Sequence, residues 1–212
     1  MWNRLRYTVW APAYDAIANA AGFDAARRLS IERLRLAPGN RVLIVGAGTG
    51  LDLPYLPSNV DVTATDVTPA MLHRLERRAA SAHRVVTTHV MDARQLAFPD
   101  SSFDAVVLHL ILAVMPQPEQ GLREAVRVLK PEGRIGVFDK FLRDDERPSA
   151  KRRVLNAVAK PLFSDLNRRL GPLIAGTPLA IEHDQPVAFG GTYRVVTFFK
   201  DDGGSRSTGG AA

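Results

Sequence analysis

Short runs of apolar and β-branched residues, each bounded by Gly, Pro, Asn or Asp, recur at Arg41–Gly46, Val60–Thr65, Val85–Val90, Asp104–Leu110, Arg134–Asp139 and Tyr193–Phe199. Segments with a helical period lie between most of them. Thr68-Pro69 opens one, with threonine at the N-cap and proline at the first helical position, and Ala70, Met71, Leu72, Leu75 and Ala79 follow on one face. Glu119 to Leu129 forms another, with Leu122, Ala125, Val126 and Leu129 aligned and a stop at Lys130-Pro131-Glu132-Gly133. Alternation of this kind predicts βαβ units around a buried parallel sheet, and right-handed crossovers make it doubly wound. Near the end, Pro178–Val187 and Gly191–Lys200 are joined only by Ala188-Phe189-Gly190. That spacing predicts an antiparallel pair at one sheet edge. The expected architecture is therefore α/β, a Rossmann-like sheet of seven strands, mostly parallel, closed by an antiparallel C-terminal hairpin.

One domain over residues 1–200 accommodates this pattern, with two N-terminal lid helices in 1–37, a basic helical insertion at 141–176 and a Gly/Ser-rich disordered tail at 201–212. The chain has 212 residues and no cysteine, which excludes disulfides, thiolate metal sites and a cysteine nucleophile. No run reaches the length of a spanning helix and no signal peptide opens the chain, so a cytoplasmic location is expected.

Charge changes the picture. The net +6 is concentrated in two flanks: residues 1–37 carry six arginines against Asp15, Asp24 and Glu32, and residues 140–170 carry nine Lys/Arg against Asp144, Asp145, Glu146 and Asp165. Trp2, Leu5, Val9 and Trp10 have helical spacing in the first flank; Val154, Leu155, Val158, Leu162 and Phe163 alternate with basic residues in the second. Such helices either cap a core or lie in a membrane interface. The second reading makes residues 1–20 and 143–170 a peripheral contact with anionic lipid on the inner membrane face. Few aromatics accompany the basic residues, which argues against nucleic acid as the partner.

The sharpest local signal is Val42–Gly50, an apolar strand entering Gly46-Ala47-Gly48-Thr49-Gly50. Glycines there allow a tight turn and close backbone approach by a ligand, or simply a strand-to-helix turn. The GxGxG spacing is not the dinucleotide GxGxxG, and no Lys-Ser/Thr follows as a phosphate loop requires. Asp66, twenty residues after Gly46 and followed by Val67, ends the second strand, where a carboxylate can accept both ribose hydroxyls or lie idle on the surface. Asp92 closes the third strand; it can accept from an adenine amino group while the Ala93 amide donates to a ring nitrogen, or it can serve as a turn residue. Together these residues describe an adenosine without a phosphate.

With these segments, and with Thr65–Leu72, Phe98–Asp104 and Val126–Gly133, the sequence resembles the class I S-adenosylmethionine-dependent methyltransferases, in the branch containing the ubiquinone and menaquinone enzymes. Tyr7–Asp15 and Gly48–Pro54 look like bacterial soluble phosphatidylethanolamine N-methyltransferases. The resemblance implies S-adenosylmethionine as cofactor and an N-terminal helix over the site, which would bring Tyr7 and Tyr14 near the sulfonium. One departure stands out: relatives often carry an acidic residue where this chain has Ile44.

Methyl transfer from a sulfonium needs alignment more than a catalytic group. Should the acceptor need a base, His109 and Asp139 follow strands on the correct edge, although His109 within Leu108–Leu112 also reads as a packed histidine. The five histidines show no metal-ligand spacing, and no Gly-x-Ser-x-Gly elbow is present. The expected acceptor is an amphipathic lipid, the amine of phosphatidylethanolamine first, with a prenylated quinone or a soluble small molecule as alternatives.

Overall fold

The computed structural model describes residues 23–142 and 167–201. The lid helices, Tyr7, Tyr14, most of the basic insertion and the tail beyond Asp201 lie outside the described residues. The elements are α1 (Asp24–Glu32), β1 (Arg41–Val45), β2 (Asp61–Asp66), α2 (Pro69–Ser81), β3 (Thr87–Val90), β4 (Phe103–His109), α3 (Pro118–Val128), β5 (Leu129–Lys140), α4 (Leu170–Ile174), β6 (Leu179–Ala188) and β7 (Tyr193–Lys200). One seven-stranded sheet runs β3-β2-β1-β4-β5-β7-β6. The first five strands are parallel, β7 is antiparallel to β5 and β6 to β7. The sequence reading of the sheet and its C-terminal hairpin holds.

Strand alternation builds the two layers. Leu43 and Val45 of β1 join Val106, Leu108, Ile135 and Val137 beneath Leu122 and Ala125 of α3. Val42 and Ile44 face the other way, with Val62, Ala64 and Val107, beneath Leu72, Leu75 and Ala79 of α2 and Ile31 of α1. A strand buried on both faces has no polar side, so the run Val42–Val45 is continuously apolar. Ile44 is part of this core.

Three sequence expectations shift. Helix α3 ends at Val128 rather than at Leu129, because Leu129 pairs with Phe103 and opens β5; Lys130–Gly133 then bulge out of register, with Glu132 at φ +59°, before Arg134 pairs with Ala105. The Pro-Glu-Gly signal is thus a bulge inside a strand. β3 begins at Thr87, and Val85, read as strand, is 90% exposed beyond its start. Thr68 does occupy the N-cap of α2, but its side chain makes no capping bond. Its backbone N–H instead donates to Asp66 Oδ1 at 2.8 Å.

Candidate active site

All the strands that feed the site end on one sheet edge, and the crossover reverses between β1 and β4, where an open α/β sheet forms a crevice. A cavity of about 500 Å³ lies there. Gly46 and Gly48 floor it after β1, Asp66 and Val67 stand at the end of β2, Asp92 and Ala93 follow β3, and Leu110–Met115 wall it after β4. The predicted residues Gly46, Gly48, Asp66, Val67, Asp92, Ala93 and His109 therefore converge on one cleft. Ala47 is buried behind it, and Gly50 is packed against Leu75 and Leu53.

The loop and the carboxylate are built as one unit. Ala47 N–H donates to Thr65 O at 2.8 Å, fastening the loop to β2, and Gly48 N–H donates to Asp66 Oδ2 at 2.9 Å. Asp66 Oδ1 accepts Thr68 N–H at 2.8 Å, and the Thr68 side chain and the Val67 backbone add to the hydrogen bonds that the carboxylate accepts. Burial pushes the Asp66 carboxyl up from its ordinary value, opposed by hydrogen bonds from Thr68 and Gly48. Two ribose hydroxyls would relieve that cost by donating to the ionised form.

Both loop glycines have left-handed backbone, φ +66° at Gly46 and +54° at Gly48. A Cβ on Gly48 would meet nothing within 4 Å, consistent with its facing the open cleft; on Gly46 it would stand 2.2 Å from Ile111 Cδ1. Gly46→Ala is expected to push Ile111 off the wall, add about 1 kcal/mol of backbone strain and weaken cofactor binding roughly tenfold. Calorimetric titration with S-adenosylhomocysteine checks this; undiminished affinity would mean that the Ile111 wall does not shape the site.

Asp92 is more constrained than its sequence position implied. Arg94 folds back on it, Nε to Oδ1 at 3.0 Å and Nη2 to Oδ2 at 2.7 Å, and Arg94 Nη1 also donates to Gln117 at 3.0 Å. An adenine amino group at this position would share the carboxylate with that guanidinium.

His109 is committed to the interior. Its side chain is 1% exposed; Nδ1 lies 2.7 Å from Asp52 Oδ1 and Nε2 lies 2.8 Å from Ser30 Oγ. Arg27 Nη1 donates to the same Asp52 oxygen at 2.5 Å. Burial would raise the Asp52 carboxyl, but the charges and hydrogen bonds of His109 and Arg27 hold it well below the usual carboxylate range. The Asp–His–Ser arrangement is no hydrolytic triad, since Ser30 is fully buried beside Gly136 on β5. Both imidazole nitrogens being engaged, the ring presents no vacant acceptor to the cleft, and His109 contributes as part of its support. Asp52, Arg27 and Ser30 escaped sequence reading because only the fold joins the segment after the glycine loop to α1 and the end of β4.

Asp139 is likewise buried. Its Oδ2 accepts Ala113 N–H at 2.9 Å and its Oδ1 accepts Lys140 N–H at 2.8 Å, so it braces the Leu110–Met115 wall from β5. Burial pushes its carboxyl upward against those two bonds. Beside it, Phe23, Phe138, Tyr193 and Phe189 form an aromatic cluster. Tyr193 is pushed up to about 12 by burial and by Asp139. Among the described residues no helix is long and apolar enough to cross a membrane.

A doubly wound sheet with a glycine loop, a doubly bonded carboxylate twenty residues on and no phosphate-binding lysine defines a nucleoside-binding enzyme class in which the ligand carries no pyrophosphate. Comparison with known proteins narrows it. Residues 43–137 match the model of a family described as a methyltransferase domain. The chain is 32% identical over 164 residues to a phosphatidylethanolamine N-methyltransferase of Cereibacter sphaeroides, covering 76% of this chain and 81% of that one. It is 36% identical over 133 residues to a demethylmenaquinone methyltransferase of Renibacterium salmoninarum, covering 61% of this chain and 54% of that one. The chain thus spans about half the length of this quinone enzyme. The fold superposes on a S-adenosylmethionine-dependent methyltransferase from Aquifex aeolicus with a TM-score of 0.66 at 18% identity, over 90% of this chain and 98% of that one. The chain belongs to the class I S-adenosylmethionine-dependent methyltransferases, and S-adenosylmethionine is its cofactor.

Proposed function

We propose that the enzyme methylates the amine of an amino-phospholipid, phosphatidylethanolamine first, from the surface of a membrane. The observation that carries this reading is the 32% identity to the phosphatidylethanolamine enzyme over 81% of its length, against 54% of the quinone enzyme. A second observation supports it. Phe189 sits 65% exposed at the tip between β6 and β7, where Gly190 and Gly191 have positive φ, on the sheet edge that also carries the cofactor cleft. Beside the cleft, that exposed ring gives a lipid surface an apolar contact. The 36% identity to the demethylmenaquinone enzyme keeps a prenylated quinone as the second reading.

S-adenosylmethionine supplies a methyl group already activated on a sulfonium. The residues of the chain hold and align. Asp66 and the Gly46–Gly48 backbone fix the nucleoside end, Asp92 and Ala93 address the base, and the apolar wall Leu110–Met115 excludes water. Asp139 and the Asp52–His109–Ser30 group keep that wall in place from beneath. In this reading Tyr7 and Tyr14 supply the cover over the donor from the N-terminal segment.

The test offers two defined acceptors to the enzyme and cofactor: phosphatidylethanolamine in vesicles and its soluble headgroup, glycerophosphoethanolamine. Mass spectrometry should find the added methyl on the vesicle lipid, with kcat/KM at least tenfold above that for the headgroup. Methylation of neither, with turnover of a quinone precursor instead, would replace the reading with its alternative.

A further inference from the structure

At the base end of the cleft, Asp92 is already half of an ion pair. Asp92 and Arg94 both line the cavity, and each side chain is only partly exposed. Asp92 Oδ1 accepts the Arg94 backbone N–H at 2.9 Å and Nε at 3.0 Å; Oδ2 accepts Nη2 at 2.7 Å and Nε at 3.2 Å. On its far side the guanidinium donates from Nη1 to Gln117 Oε1 at 3.0 Å, so it spans from the loop after β3 to the residue that precedes α3. Both anchors belong to one frame. Leu96 N–H donates to Glu124 of α3 at 2.8 Å, and Arg127 Nη2 donates to Leu96 O at 2.7 Å. Gly121 of α3 packs so close to the loop that a Cβ there would stand 3.7 Å from Ala93 O.

Arg94 changes what a purine meets at its 6-position. A carboxylate with open lone pairs favours a 6-amino group and rejects a 6-oxo group, because the oxo oxygen would face it acceptor to acceptor. Here the Arg94 fork already donates to both carboxylate oxygens. Nη1 and Nη2 each carry a second N–H beyond the bonds just named. Guanidinium donors thus stand beside the carboxylate acceptor on the same edge of the cavity. The carboxylate suits an amine, and the guanidinium suits a carbonyl.

We propose that Arg94 sets the base selectivity of the cofactor site: by occupying Asp92 it removes most of the preference for a 6-amino purine and admits 6-oxo purine nucleosides, the class to which the deaminated cofactor product belongs. The proposal rests on the reading that Asp92 and Ala93 address the base, and it assigns how strictly they do so. Arg94 is a specificity-determining residue, and no step of methyl transfer depends on that role.

Calorimetry with S-adenosylhomocysteine and with S-inosylhomocysteine, its 6-oxo counterpart, reads this as the ratio of the two dissociation constants. The mismatch between the Ala93 amide and the N1–H of the 6-oxo base is common to every variant and cancels when ratios are compared. Arg94→Ala should raise the preference for S-adenosylhomocysteine roughly tenfold to a hundredfold over that of the parent, the effect of one hydrogen bond to a charged group. The double variant with Asp92→Ala should bring the ratio back near that of the parent. A merely structural role for Arg94 would change both affinities together and leave the ratio where it was. An unchanged ratio in Arg94→Ala, or a raised ratio that survives in the double variant, overturns the proposal. Asp92→Ala alone separates it from the reading beneath it. If S-adenosylhomocysteine binding weakens there while Arg94→Ala leaves the ratio unchanged, the base sits at Asp92 and only the proposal falls; if Asp92→Ala leaves that affinity intact, the base lies elsewhere and both fall. Should Arg94→Ala not fold, Arg94→Met, which keeps an extended side chain and removes every donor, is read in the same way.

Discussion

Asp66→Ala should weaken binding of S-adenosylhomocysteine by a hundredfold or more. Two ribose hydroxyls donating to one ionised carboxylate contribute about 1.5–3 kcal/mol each, and every 1.4 kcal/mol is a factor of about ten. The substitution also removes the acceptor for Gly48 N–H and Thr68 N–H, so the glycine loop and the start of α2 lose their common anchor. Asp66→Asn keeps one acceptor oxygen but places an amide donor against one of those N–H groups, and should recover only part of the affinity. Calorimetry of the three proteins decides the matter: affinity within tenfold of the parent in Asp66→Ala would remove the ribose from this carboxylate.

The second large effect is on stability. Asp52→Ala leaves the Arg27 guanidinium and the His109 ring in the core without their shared acceptor. Removing one partner of a buried ion pair costs about 3–5 kcal/mol, and in a domain of this size that corresponds to a fall in Tm of roughly 10 °C. The same residue sets an acid dependence. The folded carboxyl titrates below its ordinary value of 3.8, so the ionised form contributes stability above that pH, and the contribution is lost as pH falls toward the folded value. The parent enzyme should therefore lose stability on acidification below about pH 4 more steeply than Asp52→Ala does. Equal slopes and equal Tm values would show that the Arg27–Asp52–His109 group is energetically idle.

What the sequence displayed and what it hid follow from the range of the interactions. β1 was legible because burial on both faces leaves no polar residue from Val42 to Val45, and the hairpin was legible because Ala188-Phe189-Gly190 leaves no room for a helix. Asp66 was legible because its partner is the glycine loop after the preceding strand, β1, at a fixed spacing. Asp92 was located, but its occupation by Arg94 depends on a side chain folding back two residues later, which no spacing rule specifies. The bulge at Lys130–Gly133 was read as a stop since Pro-Glu-Gly signals a turn in either setting. His109 was the ambiguous residue. Its apolar neighbours along the chain pointed to packing, while its place at the carboxyl end of β4 pointed to chemistry, and only Asp52 and Ser30, 57 and 79 residues away, reveal where its nitrogens go.

A labelled-methyl transfer assay tests the central claim most directly. The enzyme and methyl-labelled cofactor are incubated with a bacterial cell extract, the mixture is divided between organic and aqueous phases, and the labelled compound is identified by mass spectrometry. The account predicts label in the organic phase, on a phospholipid amine, and none of it with Asp66→Ala. Label confined to the aqueous phase on a soluble metabolite would contradict it.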